Sequence, residues 1–228
     1  MKCIVLSSGG LDSTVTTAIA KNLGYKIYSL SFDYEQRHKA ELECAKKVAN
    51  FFNVEKHFIF KLPIGEIGGS ALTDRSIDVP EGTAEKNDIP ITYVPGRNII
   101  FLSFAVSLSE VLEAYDIFIG VNAVDYSGYP DCRPEFIESF EKTVNLGTKA
   151  GATGKKFKIH TPLIKLSKKD IILKGKDLGV DFSITNSCYN PSPEGIPCGK
   201  CDSCFLRLKG FKEAGIADPL KYPDNFGN

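Results

Sequence analysis

The sequence has no surplus of charge: 28 Lys and Arg stand against 28 Asp and Glu over 228 residues. A chain that tracks nucleic acid or an anionic membrane mainly by charge carries a basic excess. Stable nucleic-acid binding is therefore not expected, and any such contact would need a local patch. Long hydrophobic runs are lacking too. The longest apolar stretch, Ile99–Leu108, falls far short of the roughly 18–20 residues that a membrane span requires. The opening MKCIVLSSGG enters a glycine turn without the apolar core of a signal peptide, so the expected location is the cytoplasm. Also absent are the phosphate-binding string G-x-x-x-x-G-K-[ST], internal repeats, low-complexity tracts and any clear linker.

What remains is an ordinary globular composition, 43% apolar and 25% charged. Lys2–Ser7 reads as a buried strand running into Ser8-Gly9-Gly10. Leu11, Val15, Ala18 and Ile19 then recur at helical spacing, and Tyr25–Phe32 reads as a second strand. Leu42, Ala45, Ala49 and Phe52 mark a second helix, and Glu55–Leu62 a third strand. This alternation predicts an α/β fold, Rossmann-like, with a mostly parallel sheet and helices on both faces. Pro63–Pro95 breaks the rhythm and reads as an irregular insertion, with a lid slightly favoured over a surface decoration. Asn98–Leu112 is apolar nearly all round, which predicts a helix buried in the core. Ile117–Val121 reads as a strand, Phe136, Ile137, Phe140 and Val144 as one helix face, and Ser167 with Asp170 as a capping box. The expected division is 1–186 for the α/β domain, with its insertion at about 63–97, then 187–222 for a small metal-bearing module and 223–228 for a tail.

The string Ser8-Gly9-Gly10-Leu11-Asp12-Ser13-Thr14 lies between a strand and a helix. Glycines let the backbone approach an anion, and the helix start offers unpaired N–H groups and a positive dipole end. Ser8, Ser13 and Thr14 add hydroxyls, whereas Asp12 calls for a divalent cation between itself and a phosphate. A second cluster, Cys198, Cys201 and Cys204 spaced C-x2-C-x2-C with Cys188 upstream, is suited to a tetrahedral thiolate site. Cysteines stay reduced in the cytosol, so a metal is expected rather than disulfides. Four thiolates suit zinc or an iron–sulfur cluster, and a site with all four positions filled by protein favours structural over catalytic zinc, the metal expected here. Four thiolates with one dication would bring the holo-protein to a net charge of about minus two. Cys3, Cys44 and Cys132 are expected to be ordinary thiols. A third stretch, Gly120–Pro134, follows a strand and carries Asp, Tyr and Arg side chains able to meet a guanine-like edge, a flat ring and a carboxylate. By composition alone it is equally a capped turn.

Ser8–Ser13, SGGLDS, resembles the SGGxDS signature of the PP-loop, or N-type ATP pyrophosphatase, superfamily. Phe32–His38 (FDYEQRH), Tyr93–Asn98 (YVPGRN), Gly120–Phe136 (GVNAVDYSGYPDCRPEF), Thr161–Lys168 (TPLIKLSK) and Pro197–Cys204 (PCGKCDSC) together resemble the 7-cyano-7-deazaguanine (preQ0) synthase family, from Ser7 to about Pro219. One departure is Glu35, where the family pattern FDYGQRH has glycine.

The resemblance implies an adenine nucleotide alpha hydrolase-like fold and a ligase forming C–N bonds. That enzyme makes the nitrile of 7-carboxy-7-deazaguanine from ammonia and ATP, in queuosine or archaeosine biosynthesis. It implies ATP binding by Ser7, Ser8, Gly9, Gly10, Leu11, Asp12, Ser13, Thr14, Val15, Thr16 and Thr17, with Mg2+ alongside ATP. It implies Asp12, Arg37, Arg97 and Lys165 as catalytic residues, Asp125, Tyr129, Asp131 and Arg133 as the substrate pocket, and Cys188, Cys198, Cys201 and Cys204 as ligands of one structural Zn2+ per chain. A homodimer is left open. Two rivals remain at this stage: a PP-loop enzyme that thiolates or amidates tRNA bases, and a non-enzymatic zinc-ribbon interaction module. His38 is a better functional candidate than His160. Most of the lysines at 155, 156, 158, 165, 168, 169, 174 and 176 are expected to be solvated surface, with Lys165 the exception.

Overall fold

The computed structural model describes residues 1–37, 39–82, 89–124 and 128–223. Five strands, β1 (Lys2–Leu6), β2 (Lys26–Asp33), β3 (Lys56–Lys61), β4 (Asp116–Phe118) and β5 (Lys158–His160), form one sheet in the order β3-β2-β1-β4-β5. Every pairing is parallel. The chain builds outward from β1 to one edge, then returns to fill the other side, so its direction switches between β1 and β4. In open α/β sheets that switch leaves a crevice at the carboxyl ends of the strands.

The central strand shows why both faces are covered. Cys3 and Val5 pack with Ala20 of α1 (Leu11–Asn22), together with Ile27 and Phe118. Ile4 and Leu6 point the other way, into a core shared with Leu102 and Ala105 of α3 (Arg97–Leu112) and Ile137 and Val144 of α4 (Pro134–Gly147). The period-two alternation of a strand sends neighbours to opposite faces, and each face here meets helices. On the α1 side, Leu11 and Val15 join Val48 of α2 (Ala40–Phe51), Ile171 and Ile172 of α6 (Lys168–Asp177), and Phe211 of α7 (Asp202–Ala214). A short helix, α5 (Lys149–Ala152), follows α4. No helix of the described residues is long and apolar enough to cross a membrane.

Two expectations need revision. The helix at 97–112 is not buried all round: Asn98, Leu102, Ala105, Val106 and Ser109 face inward, while Ile99, Phe104 and Val111 are exposed, Val111 by 79%. An apolar residue on every side left no period from which to read the inner face. The strand after it is shorter than Ile117–Val121, although Ile119 N–H still donates to the His160 carbonyl at 3.0 Å. The segment from Pro63 is irregular where it is described, and it is packed. It opens with a 3-10 turn, Pro63–Ile67, and lends Ile64, Leu72 and Val94 to the main core. Ala71 N–H donates to the Ile91 carbonyl at 2.9 Å. The tail at 224–228 lies outside the described residues.

Glu35, which replaces the glycine of the family pattern, adopts φ 63°. An L side chain in the left-handed region costs on the order of 1–2 kcal/mol. Gly65 packs beside it, within 2.5 Å of the Glu35 Oε2 atom when given a Cβ. Glu35→Gly is expected to stabilise the protein by about 1 kcal/mol, raising Tm by about 2–4 °C in a thermal melt.

Candidate active site

The loop after β1 enters the crevice. Gly9 turns at φ +84°, and a Cβ there would lie 2.3 Å from the Glu41 carbonyl oxygen and 2.5 Å from Ala45 N, both backbone atoms of α2. No other residue type fits this turn. Gly10 then serves as the N-cap of α1 without a side-chain cap, leaving helix-start N–H groups directed at the crevice. Ser13 Oγ steadies the turn, accepting from Ser8 N–H at 3.2 Å and lying 3.1 Å from Ser8 Oγ. On the far side, Asn186 N–H donates to the Gly9 carbonyl at 3.0 Å, and Leu11 N–H donates to Ser187 Oγ at 3.1 Å. The approach to the cysteine cluster thus braces the loop.

This loop borders a cavity of about 220 Å³. Ser7, Ser8, Gly10, Leu11, Asp12 and Ser13 line one side, and Arg97, Asn98, Tyr129 and Cys132 also line it. Phe32 and Phe101, stacked at 4.1 Å, belong to its apolar wall. Among the described residues, two buried atoms of lining residues, Ser7 Oγ and Arg97 Nε, have no hydrogen-bond partner, as groups awaiting a ligand do. Gly9, Thr14, Val15, Thr16 and Thr17 do not line the cavity. They build the loop and α1 behind it, Thr14 Oγ1 donating to the Gly10 carbonyl at 2.8 Å.

The structure brings together only part of the expected set. Asp12 faces the cavity, but both of its carboxylate oxygens accept from Lys168 Nζ at 2.8 Å. Lys168 is 7% exposed, so it is no solvated surface lysine, whereas Lys165 is exposed and outside the cavity. The capping box of Ser167 and Asp170 starts α6 at Lys168 and turns that side chain inward. Arg37 is not brought to the cavity either. Its guanidinium donates to the carbonyls of Ala71 (2.6 Å), Asp74 (2.9 Å) and Ile77, clamping the segment beyond the 3-10 turn. Asp131 is buried and accepts from Asn98 N–H at 3.0 Å, which fixes the start of α3 beneath Arg97. Tyr129 lies 2.8 Å, hydroxyl to hydroxyl, from Thr92, while Arg133 is exposed. Asp125 and His38 lie outside the described residues. His160 is a structural histidine, 2.6 Å from Asp116 and stacked on Phe118.

Sequence reasoning missed Lys168, Ser187 and Glu41. Lys168 had a signal, because it closes the same TPLIKLSK string that contains Lys165. Ser187 adjoins the clustered Cys188 without forming part of the cysteine spacing. Glu41 sits in an ordinary charged helix and had none.

The four cysteines converge as expected: the sulfurs of Cys188, Cys198, Cys201 and Cys204 all lie within 4.8 Å of one another. Backbone N–H groups point at them, from Cys198 and Asn190 to Cys188 Sγ at 3.2 and 3.3 Å, and from Tyr189 to Cys201 Sγ at 3.4 Å. Hydrogen bonding between the crowded sulfurs holds Cys198 and Cys201 below the ordinary thiol range, led by Cys188 in each case. The same crowding holds Cys188 and Cys204 above it, led by Cys198 and by Cys188 respectively. Four sulfurs this close, with N–H donors around them, fit a tetrahedral dication. Burial makes Cys3 and Cys132 inert thiols, each pushed up to about 12.

Fold and loop together define a PP-loop nucleotide-binding protein. NMN synthetase from Francisella tularensis shares this fold at 17% identity and TM-score 0.51, covering 95% of this chain and 77% of its own. A 4-thiouridine synthetase, solved with RNA and bound ATP, does so at 18% identity and TM-score 0.52, over 94% of this chain and 50% of that one. The family described as queuosine biosynthesis protein QueC matches residues 2–215, and the chain belongs to it. The 7-cyano-7-deazaguanine synthase of Desulfatibacillum aliphaticivorans is 59% identical over 225 residues, 97% of this chain and 96% of its own. That of Pseudomonas fluorescens is 58% identical over 221 residues, 97% and 98% respectively.

Gly9→Ala tests the loop. A methyl group at 2.3 Å from one backbone atom and 2.5 Å from another has nowhere to move. The expected result is loss of ATP binding by calorimetry, with a stability loss of about 2 kcal/mol or more.

Proposed function

We propose that this chain is a 7-cyano-7-deazaguanine synthase, converting 7-carboxy-7-deazaguanine, ammonia and ATP to the nitrile. The observation that carries this is one cavity holding an anion-receiving loop, an arginine whose buried Nε has no partner among the described residues, and an aromatic wall, in a chain nearly 60% identical to synthases of that name.

A carboxylate is a poor electrophile, so one of its oxygens must first become a leaving group. The carboxylate oxygen attacks the α-phosphorus of ATP and pyrophosphate departs with the broken P–O pair. Ammonia then adds to the acyl carbon, and AMP leaves with the C–O pair to give the amide. A second ATP adenylates the amide oxygen, and loss of that AMP with the two nitrogen-borne protons leaves C≡N. Helix-start N–H groups and the hydroxyls of Ser8 and Ser13 would hold the phosphates, acting by electrostatic preorganisation. Lys168 neutralises Asp12, which lets this loop receive phosphate despite its aspartate. Asp12 would also hold the magnesium that arrives with ATP, which would supply charge neutralisation at the phosphates. Arg97 is the cavity's cation for charge on the α-phosphate. Arg37 and Lys165 lie outside the cavity, and Arg37 is better read as a clamp on the segment that follows Pro63.

Tyr129 and Asp131 would shape the deazapurine pocket, Tyr129 from its lining and Asp131 through the start of α3. Zinc fits the four cysteines as a structural ion, because all four positions are filled by protein. Its thiolates suit a reducing, cytoplasmic setting.

The test is mass spectrometry after mixing protein, ATP, Mg2+, ammonium and the carboxylate. The expected products are nitrile with two AMP per turnover; ADP and phosphate in place of AMP and pyrophosphate would refute the activation.

A further inference from the structure

Glu41 is the second residue of α2 and lines the cavity. Its backbone carbonyl is the atom against which Gly9 packs, so the residue is anchored directly on the phosphate loop. Its half-buried side chain shares the cavity with Ser8, Asp12 and Ser13. Among the described residues, no hydrogen bond or ion pair holds the carboxyl. Arg97, from α3, is the one described charge acting on it; Tyr34 beyond β2 and Cys44 on its own helix are the titratable groups that feel it.

An unpaired carboxyl is costly in such a place. The cavity must receive ATP and a carboxylate, and a second anion opposes both. Asp12 escapes this conflict through Lys168, but Glu41 has no such partner. Binding therefore gives no reason for Glu41. The reaction does, because both nitrogen steps, formation of the amide and its collapse to the nitrile, remove protons from nitrogen. The reacting carboxylate has to meet the α-phosphate beside the loop, which is where Glu41 is anchored.

We infer that Glu41 is the general base of the nitrogen steps. As ammonia adds to the adenylated carboxyl carbon, Glu41 takes one N–H proton and AMP leaves with the C–O electron pair, giving the amide. Glu41 discharges that proton to water before the second half. After the amide oxygen is adenylated, the nitrogen gives one proton to Glu41 and one to water, while C≡N forms and AMP departs with its pair. Burial suits the group to this work. It pushes the carboxyl up to about 7, against the pull of Arg97, and a base of that strength operates near neutral pH. The basic form is present above that value and is lost as pH falls through it.

The inference rests on the proposed synthase activity, and the test separates the two. Carboxylate-dependent ATP–pyrophosphate exchange without ammonia reports adenylation, and single-turnover amide formation at fixed free ammonia reports amination. For Glu41→Gln, exchange is expected to persist, with carboxylate KM no higher than wild type, while amination falls about 10²–10⁴-fold. The acidic limb of the wild-type amination profile, near pH 7, should flatten. Glu41→Asp, retaining a carboxyl, should recover part of the rate, which also controls for misfolding. A Glu41→Gln enzyme that aminates at the wild-type rate, or that loses carboxylate KM alone, overturns the inference; the latter outcome would make Glu41 a reader of the guanine-like edge. If wild-type protein makes neither amide nor nitrile, the synthase reading itself fails.

Discussion

Gly9 carries a left-handed backbone between the first turn of α2 on one side and Asn186 on the other, and the α2 contact occupies the space a side chain would fill. Much of the site follows from that close approach. It aims the start of α1 into the crevice between β1 and β4, where a parallel sheet leaves room for a ligand. It sets Glu41 against the loop. Through Asn186 and Ser187 it also ties the loop to the cysteine cluster, since Cys188 N–H donates to Asn186 Oδ1 at 2.9 Å. A metal held by the four sulfurs would thus stiffen the segment that braces the phosphate loop, without itself touching substrate.

The balanced charge of the chain resolves into particular placements of cations. Lys168 holds Asp12, Arg37 holds three carbonyls, and Arg207 forms a buried pair with Asp218 at 2.8 Å while donating to Thr185 Oγ1 at 2.7 Å. Breaking such a buried pair by removing one partner typically costs about 3–5 kcal/mol, so these groups are structural commitments. Arg97 differs, because among the described residues its Nε is buried without a partner and the residue lines the cavity. That difference makes it the candidate cation for a bound anion.

Much of this was legible in the sequence, for identifiable physical reasons. The alternating strand and helix periods in the first 62 residues gave the core of the sheet, because a strand buried on both faces reads as a continuous apolar run. SGGLDS and the cysteine spacing were legible because their chemistry depends on local spacing. The inward face of α3 was not, since its apolar residues encircle the helix and only tertiary contacts select a side. The choice between Lys165 and Lys168 also escaped, because the capping geometry at Ser167 decides which lysine turns inward. Glu41 was invisible for a related reason. Its role depends on a loop more than thirty residues away, and nothing in its own helix distinguishes it from Glu43.

The central claim is that both oxygens of the substrate carboxylate are removed by successive adenylation in the cavity beside Gly9. The most direct measurement uses substrate carrying 18O in both carboxylate positions, with the products analysed by mass spectrometry. Two AMP molecules, each bearing one 18O, are predicted beside an unlabelled nitrile. Label recovered in inorganic phosphate or water would contradict the mechanism.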